Sequence, residues 1–431
     1  MTDTASDPDL VLRVESLAHG GDGVAREPDG RVVFVPRTAP GDVVRARLVE
    51  EHDSWARARA EEVVEAGSRR REPPCPLYDD CGGCQIQHLD TGAQVAAKRD
   101  AVRDALQRIG DRKTGVEGPV AVGPRFGYRN RVTFTLRRGD GGVTAGYHRL
   151  EHPGRLLDVE ECPLAEEPLR EAWAELRRSW GAGAGRMPGD GEVRLTLRAT
   201  EDGDVGLLAE GGEERRPGDP ESVFRGCGRL VSYHWKPVDA ERRKMAGEER
   251  LRERWRGRDL EVGPETFLQV NRRVADAMEE HLDRRLGELE GRRVLDLYAG
   301  VGLRALRWAE AGADAAACEV SEEAVADGRR ASEAAGVDVP LRAGRVEDAL
   351  EEMLPADDVV VNPPRRGLSE AVCRRLAESE AERVAYVSCD PATLARDVKR
   401  MGEGWRVGEV QPFDAFPQTA HVETILWLHR R

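Results

Sequence analysis

The chain has 431 residues, more than one compact domain usually holds, so two or three domains are expected. Charged residues make up 34% of it and hydrophobic ones 39%, with 80 acids against 66 bases and a net charge of −14. That balance excludes a basic nucleic-acid coat but leaves room for a local groove, because only five of the bases are Lys and Arg reads phosphate in a bidentate way.

The chain opens on MTDTASDPDL, which reads as neither an apolar signal nor an Arg-rich transit segment. No later apolar run reaches the ~20 residues of a membrane span. A cytoplasmic protein without a membrane partner is expected. Residues 10–66 then alternate apolar and polar residues in LVLRVESLAHGG, GVAREPDG, RVVFVPRTAPGD, VVRARLVEE and WARARAEEVVEAG. Five short strands at this spacing suggest a small closed barrel of the oligonucleotide-binding kind.

Arg69, Arg70 and Arg71 follow, and then a cysteine cluster. The chain holds eight Cys, and cytosolic thiols stay reduced, so metal ligation is a better reading than a disulfide framework. Cys75-x5-Cys81-Gly-Gly-Cys84 makes a tight three-thiolate loop, with Cys162 in EECPL as the fourth candidate ligand. Four thiolates suit structural zinc or an iron–sulfur cluster, and the spacing leans towards [4Fe–4S]. Cys227, Cys318 and Cys373 read as structural.

Residues 91–109 have helical periodicity up to Gly110. From 125 to 235, YRNRVTFTLRR, VTAGYHR, EVRLTLRAT, DVGLLAE and RLVSYHW are strand-like and separated by Gly/Asp turns, which predicts a mostly antiparallel middle domain. The interleaved run Arg125-Phe126-Gly127-Tyr128-Arg129-Asn130-Arg131 suits stacked single-stranded RNA.

Beyond about 260 buried strands alternate with helices. VLDLYAG, ADAAACEV, DVPLRAG, DDVVVNPP and RVAYVSCD are strands; LRALRWAEAG, SEEAVADGRRASEAAG, VEDALEEML and LSEAVCRRLAE are helices. That grammar predicts a Rossmann-like parallel sheet, here with a C-terminal hairpin from WRVGEVQPFDAF and HVETILWLHRR. The division expected is 8–66, 67–250 and 255–431.

Val294–Gly302 runs from a strand into a Gly-rich turn, where Gly300 and Gly302 let a cofactor approach the backbone, and Glu319 closes the next strand, where it can accept from ribose hydroxyls. This suits S-adenosylmethionine at least as well as a dinucleotide. Asn362-Pro363-Pro364-Arg365 follows the fourth strand at the same edge. Cys389 ends the fifth strand, and the helix starting at Pro391 is expected to lower its thiol pKa. Glu423 lies among apolar strand residues, which raises its proton affinity and suits a general base.

Together these residues resemble the bacterial RNA 5-methyluridine methyltransferases, most closely their iron–sulfur branch, the 23S rRNA uracil-5-methyltransferases. GGDGVA, VVFVP and APGDVV resemble a TRAM RNA-binding domain. Cys75 to Cys84 followed by QIQHL, with Cys162, resembles the branch's [4Fe–4S] motif, and TFLQVN, DLYAGVG, NPPR, SCDPATLARD and HVET fall in the family's order. The resemblance implies that Gln269, Tyr298, Glu319 and Asn362 contact S-adenosylmethionine or the target base, that Cys389 is the nucleophile, and that Glu423 accepts the proton. It implies an RNA partner, 23S rRNA, and no obligate protein partner is evident. Two departures stand out: Asn362 replaces the usual Asp, and Leu303-Arg304-Ala305-Leu306 replaces a polar residue followed by Phe-Ser. Arg345, with Glu347 and Asp348, falls near the adenine-side acid. The competing readings are the same chemistry on tRNA, an amine N-methyltransferase suggested by N-P-P, and an RNA-binding or folding factor without catalysis.

Overall fold

The computed structural model describes residues 10–139 and 142–431, so the opening segment MTDTASDPD and the first two residues of the 8–66 assignment lie outside it. Alternating apolar residues build β1 (Leu10–Arg13), β2 (Ser16–Leu17), β3 (Gly23–Arg26), β4 (Val32–Val35), β5 (Val43–Glu51) and β6 (Trp55–Glu65). Their order is β1-β5-β6-β4-β3-β2, antiparallel except for β4–β6. The two outer strands are consecutive in the chain, so the sheet turns back on itself, with Glu15 N–H donating to Val24 O at 2.8 Å. Every second residue faces inward, including Leu12, Val33, Val35, Val44, Ala46 and Ala56. The strand beyond the five expected is β2, too short to show as an alternation.

Arg37 ties this barrel to the cysteine loop. Its guanidinium donates to the main-chain oxygens of Tyr78 (2.9 Å), Cys81 (2.8 Å) and Cys84, and lies 3.7 Å from the Tyr78 ring centroid. Asp90 then caps α1 (Thr91–Arg108) by accepting from Ala93 N–H at 2.8 Å. The buried stripe of α1 is Gln94, Lys98, Val102 and Leu106, at helical i,i+4 spacing. Val102 and Leu106 share a core with Leu394, Ala395, Val398 and Met401, so the helix packs against the C-terminal domain.

The middle region contains β7 (Arg131–Gly139), β8 (Gly142–His148), β9 (Leu156–Asp158), α2 (Glu167–Ser179), β10 (Glu192–Ala199), β11 (Val205–Gly211), α3 (Pro220–Arg225), β12 (Leu230–Lys236) and β13 (Arg243–Gly247). Its sheet runs β13-β12-β11-β10-β7-β8-β9, antiparallel apart from β11–β12. Helix α2, which the strand pattern does not announce, lays Leu169, Trp173 and Leu176 on the sheet, with Trp173 stacked 4.1 Å from Phe134.

A hairpin of β14 (Leu251–Trp255) and β15 (Arg258–Val262) leads to α4 (Arg272–Leu286) and the last domain. There follow β16 (Arg293–Leu297), α5 (Leu303–Glu310), β17 (Asp314–Glu319), α6 (Glu322–Ala335), β18 (Leu341–Ala343), α7 (Val346–Met353), β19 (Asp358–Val361), α8 (Glu370–Glu378), β20 (Arg383–Ser388), α9 (Pro391–Arg400), β21 (Trp405–Phe413) and β22 (Glu423–Arg430). The sheet order is β18-β17-β16-β19-β20-β22-β21, parallel up to β20, with β22 antiparallel to both neighbours. Among the described residues no helix is long and apolar enough to cross a membrane.

The Arg37 anchor is testable. Arg37→Ala removes a charged donor from three carbonyls and is expected to cost about 2 kcal/mol, read as a lower urea midpoint. An unchanged midpoint would show that the barrel is held elsewhere.

Candidate active site

The strand order reverses between β16 and β19, and sheets of this kind bind ligands outside the carboxyl ends of the strands at the reversal. A cavity of about 750 Å³ opens there, within the ~300–1,000 Å³ range of small-molecule sites. Gln269, Tyr298, Gly300, Glu319, Asn362, Cys389 and Glu423 all line it. Gly302 does not: it adopts φ +73° at the start of α5 and shapes the turn from behind the wall, 3.1 Å short of Leu341 were it to carry a Cβ. At Gly300 (φ +58°) a Cβ would meet nothing within 4 Å, so the glycine leaves open space on the cavity side. Glu319 is held in place, accepting from Gly300 N–H at 2.9 Å and Ser321 N–H at 2.8 Å. Arg345 and Glu347 reach the cavity, and Asp348 does not.

Glu423 is delivered by register. Ser388, the last residue of β20, pairs with Thr424, so Cys389 just past the strand end comes next to Glu423, the first residue of β22. Glu423 is buried, and burial pushes its carboxyl up to about 7, with Arg304 and Arg365 pulling the other way. The expected depression of the Cys389 thiol is not what the structure gives. Burial raises its pKa, the Glu423 charge raises it further, and Arg365 opposes both. The reason is local: Asp390 caps α9, taking the Thr393 N–H at 2.8 Å, so the helix terminus serves Asp390 and its charge adds to the rise.

A cluster of buried charges beside this pair escapes the motif reading. Asp296, in the centre of β16, is fully buried with neither carboxylate oxygen hydrogen-bonded, and burial lifts its pKa to about 7. Arg304 donates to Glu279 of α4 at 2.8 Å, and both line the cavity. The odd Leu303-Arg304 turn is the sequence signal for this cluster; nothing near Glu279 stands out, because Arg and Glu blur the apolar stripe of α4. Phe267, 54% exposed, and Trp255 also reach the wall.

The arginines expected to meet RNA are mostly engaged inside the chain. Arg69 pairs with Asp90, Arg70 with buried Asp42, and Arg71 donates to Gln87 O. In the 125–131 run, Arg125 pairs with Asp414, Tyr128 is buried and donates to Pro417 O at 2.9 Å, and Arg129 lies between the Tyr128 and Phe416 rings, 5.9 Å from each. Packing between domains consumes this face. Arg365 and Arg366, by contrast, are exposed at the cavity.

Cys75, Cys81, Cys84 and Cys162 surround one small cavity of about 60 Å³. Burial raises the thiols of Cys75, Cys81 and Cys84, and a charge on Cys162 raises each further. Among the described residues no three Cys, His, Asp or Glu side chains form a group ready to hold a metal ion, so the geometry does not bear out a metal centre here. Cys227, Cys318 and Cys373 are buried in the cores.

A doubly wound sheet ending in an antiparallel hairpin, with a Gly turn and an acid at its reversal, is a site for S-adenosylmethionine or a dinucleotide, and likeness to known proteins decides for a methyltransferase. The model of the tRNA (uracil-5-)-methyltransferase family matches residues 248–431, and that of the TRAM domain matches residues 11–60. The crystal structure of Pyrococcus abyssi tRNA (uracil-54, C5)-methyltransferase in complex with S-adenosyl-L-homocysteine superposes with a TM-score of 0.74 at 25% identity, over 97% of this chain and all of that one. An uncharacterized RNA methyltransferase of Thermosynechococcus vestitus is 33% identical, over 97% of both chains. Another, from Synechocystis, is 35% identical over 96% of this chain and 94% of its own. The chain belongs to the RNA methyltransferases, and its residues 248–431 match the uracil-5-methyltransferase domain.

Asp296 yields a prediction of definite sign. A carboxyl whose folded pKa lies above its unfolded value costs stability as pH rises from about 4 towards 7, and the cost is complete above 7. Asp296→Asn is therefore expected to stabilise the fold by roughly 2–4 kcal/mol at pH 8 and hardly at all at pH 4, in denaturant titrations at the two values. Equal effects at both would mean that Asp296 is not a protonating group.

Proposed function

We propose that the protein forms 5-methyluridine in 23S rRNA, and the observation that carries the chemistry is Cys389 beside Glu423 on one cavity wall. When bound, S-adenosylmethionine supplies an electrophilic methyl group; Gln269, Tyr298, Glu319 and Asn362 are the residues to hold it and the target base. The open space at Gly300 and the fixed Glu319 carboxylate fit such a cofactor. A uridine swung out of its stack presents C6 to Cys389. The Cys389 thiolate, favoured by the nearby Arg365 guanidinium, adds to C6 and pushes the C5–C6 electron pair onto C5 and the C4 carbonyl. C5 would then take the methyl group as the methyl–sulfonium bond breaks, its electron pair staying on sulfur to leave a neutral thioether. Glu423 removes the remaining C5 proton, the C5–C6 double bond re-forms, and Cys389 leaves as thiolate. A carboxylate raised to about 7 is a competent base near neutrality and a poor one in acid. The RNA reaches the cavity at exposed Phe267, Arg365 and Arg366.

The choice of 23S rRNA rests on the Cys75, Cys81, Cys84 and Cys162 pattern. A tRNA substrate is the second reading, favoured by the likeness along 97% of the chain to an enzyme named for tRNA. We also infer that the four thiols hold a [4Fe–4S] cluster. What supports this reading is that all four line one cavity and that Gly83 N–H donates to Cys81 Sγ at 3.4 Å, a close approach of backbone to sulfur. Such a cluster would cross-link the loop, and no step of the methylation passes through it.

Labelled S-adenosylmethionine, offered separately with unmodified 23S rRNA and tRNA, is expected to yield labelled 5-methyluridine in 23S rRNA. Label in tRNA alone would reassign the substrate. Cys389→Ala is expected to abolish the product; normal methylation by it would sink the mechanism. The rate of proton removal should climb about tenfold per pH unit below 7 and level off above. Anaerobically purified protein is expected to contain iron and absorb visible light through sulfur-to-iron charge transfer, both lost in Cys84→Ser; a colourless zinc protein would overturn the cluster.

A further inference from the structure

Between β21 and β22 the chain makes an arch, residues 414–419, that leads into Glu423. It is unusually polar for its depth: Asp414, Gln418 and Thr419 are fully buried. Gln418 sits at φ +73°, a left-handed conformation that a non-glycine residue keeps only when its surroundings impose it. The surroundings here are specific. Gln94 Nε2 donates to Gln418 Oε1 at 2.9 Å, and Gln418 N–H donates back to Gln94 Oε1 at 3.2 Å. Lys98 Nζ donates to Phe416 O at 3.0 Å and pairs with Asp414, whose other oxygen takes Arg125. Just past the cysteine loop, Ile86 N–H donates to Gln418 O at 3.1 Å.

Gln94 and Lys98 are themselves 0% and 1% exposed. Burying an amide and an ammonium on one face of a helix is costly unless each finds a partner. The partners found are all on this one arch, on Arg125, or on Ile86 and Leu89 between the cysteine loop and α1. The arch in turn contributes Phe416 to the cavity wall, with His421 following it and Glu423 beginning the strand beyond.

We propose that Gln94 and Lys98 are positioning residues for proton abstraction: gripping the arch from α1, they hold Phe416 and Glu423 where the carboxylate meets C5 of the uridine, a role that rests on the Cys389–Glu423 reading above. They touch neither RNA nor cofactor. Their effect falls on the step that uses Glu423 and spares the one that uses Cys389.

The two steps separate with 23S rRNA and tRNA transcripts made with 5-fluorouridine. Fluorine at C5 cannot leave as a proton, so Cys389 addition and methyl transfer proceed and the covalent enzyme–RNA adduct persists. Gln94→Met and Lys98→Met are expected to form this adduct within about twofold of the wild-type rate, while release of 5-methyluridine from ordinary transcripts slows about 10- to 100-fold, the size expected for a misplacement near 1 Å. Lys98→Met leaves Asp414 to Arg125 alone; if it does not fold, Gln94→Met, which alters no charge, decides the matter. Wild-type release in the folded variant overturns the proposal. So does loss of adduct formation in it, because the arch would then serve the nucleophile or the cofactor. Glu423→Gln runs in parallel: normal release there removes the base reading itself, whereas slow release there with normal release in Gln94→Met removes only the positioning role.

Discussion

Ser388 pairs with Thr424 on an antiparallel ladder, and the side on which Cys389 and Glu423 meet the cavity follows from that pairing. Side chains on a strand alternate faces, so a slip of one residue would turn Glu423 away from the cavity. The slip is prevented by apolar residues on both faces of β22. Leu426 and Leu428 enter the core that contains α8 and α9, while Ile425 and Trp427 enter the one that contains α4 and α5. Exchanging the two sets would exchange four well-packed side chains at once. The hydrophobic alternation that builds the hairpin thus decides which face the carboxylate takes, while the arch before it sets how far it reaches.

The same packing that locks the strand strips water from Glu423. A carboxylate in that setting holds its proton more tightly, which makes it a better base once ionised and harder to ionise. Arg304 and Arg365, both lining the cavity, set the balance. Arg304 is tethered by Glu279, whereas Arg365 belongs to the exposed loop after β19. Asp296 lies in the same dry region without a hydrogen-bond partner. The site concentrates acids where solvent cannot shield them, and two guanidinium groups keep that concentration tolerable.

The C-terminal sheet was legible in the sequence because its strands are short apolar runs ended by Gly, Asn-Pro or Cys-Asp, and helices fill the gaps. The helices α2 and α4 were not, since Arg and Glu dominate their exposed faces and blur the stripes of Leu169, Trp173 and Leu176 or Val274, Met278 and Leu282. Composition also misdirects over the arginines. A run such as Arg69 to Arg71 looks the same whether its partner is a phosphate or Asp42 and Asp90 of the same chain. The Cys389 thiol is a similar case. Its place at a helix start was readable, but the competing cap by Asp390, one residue later, depends on which side chain reaches the free amide first.

Helix α1 carries a consequence for how the protein is made. Its apolar residues Val102 and Leu106 belong to a core completed by α9, about two thirds of the chain later. At ~5–20 residues per second, a ribosome takes roughly 15–60 s to travel from the end of α1 to the start of α9. About halfway through that interval the barrel and middle sheet already have what they need to fold, while α1 still waits with a sticky flank and a buried-type lysine in water. Nascent chains of this protein therefore carry an unfinished seam in their first quarter until their last residues emerge. Shortening that wait, or shielding the seam with a holding chaperone, acts on yield without touching a single residue of the cavity.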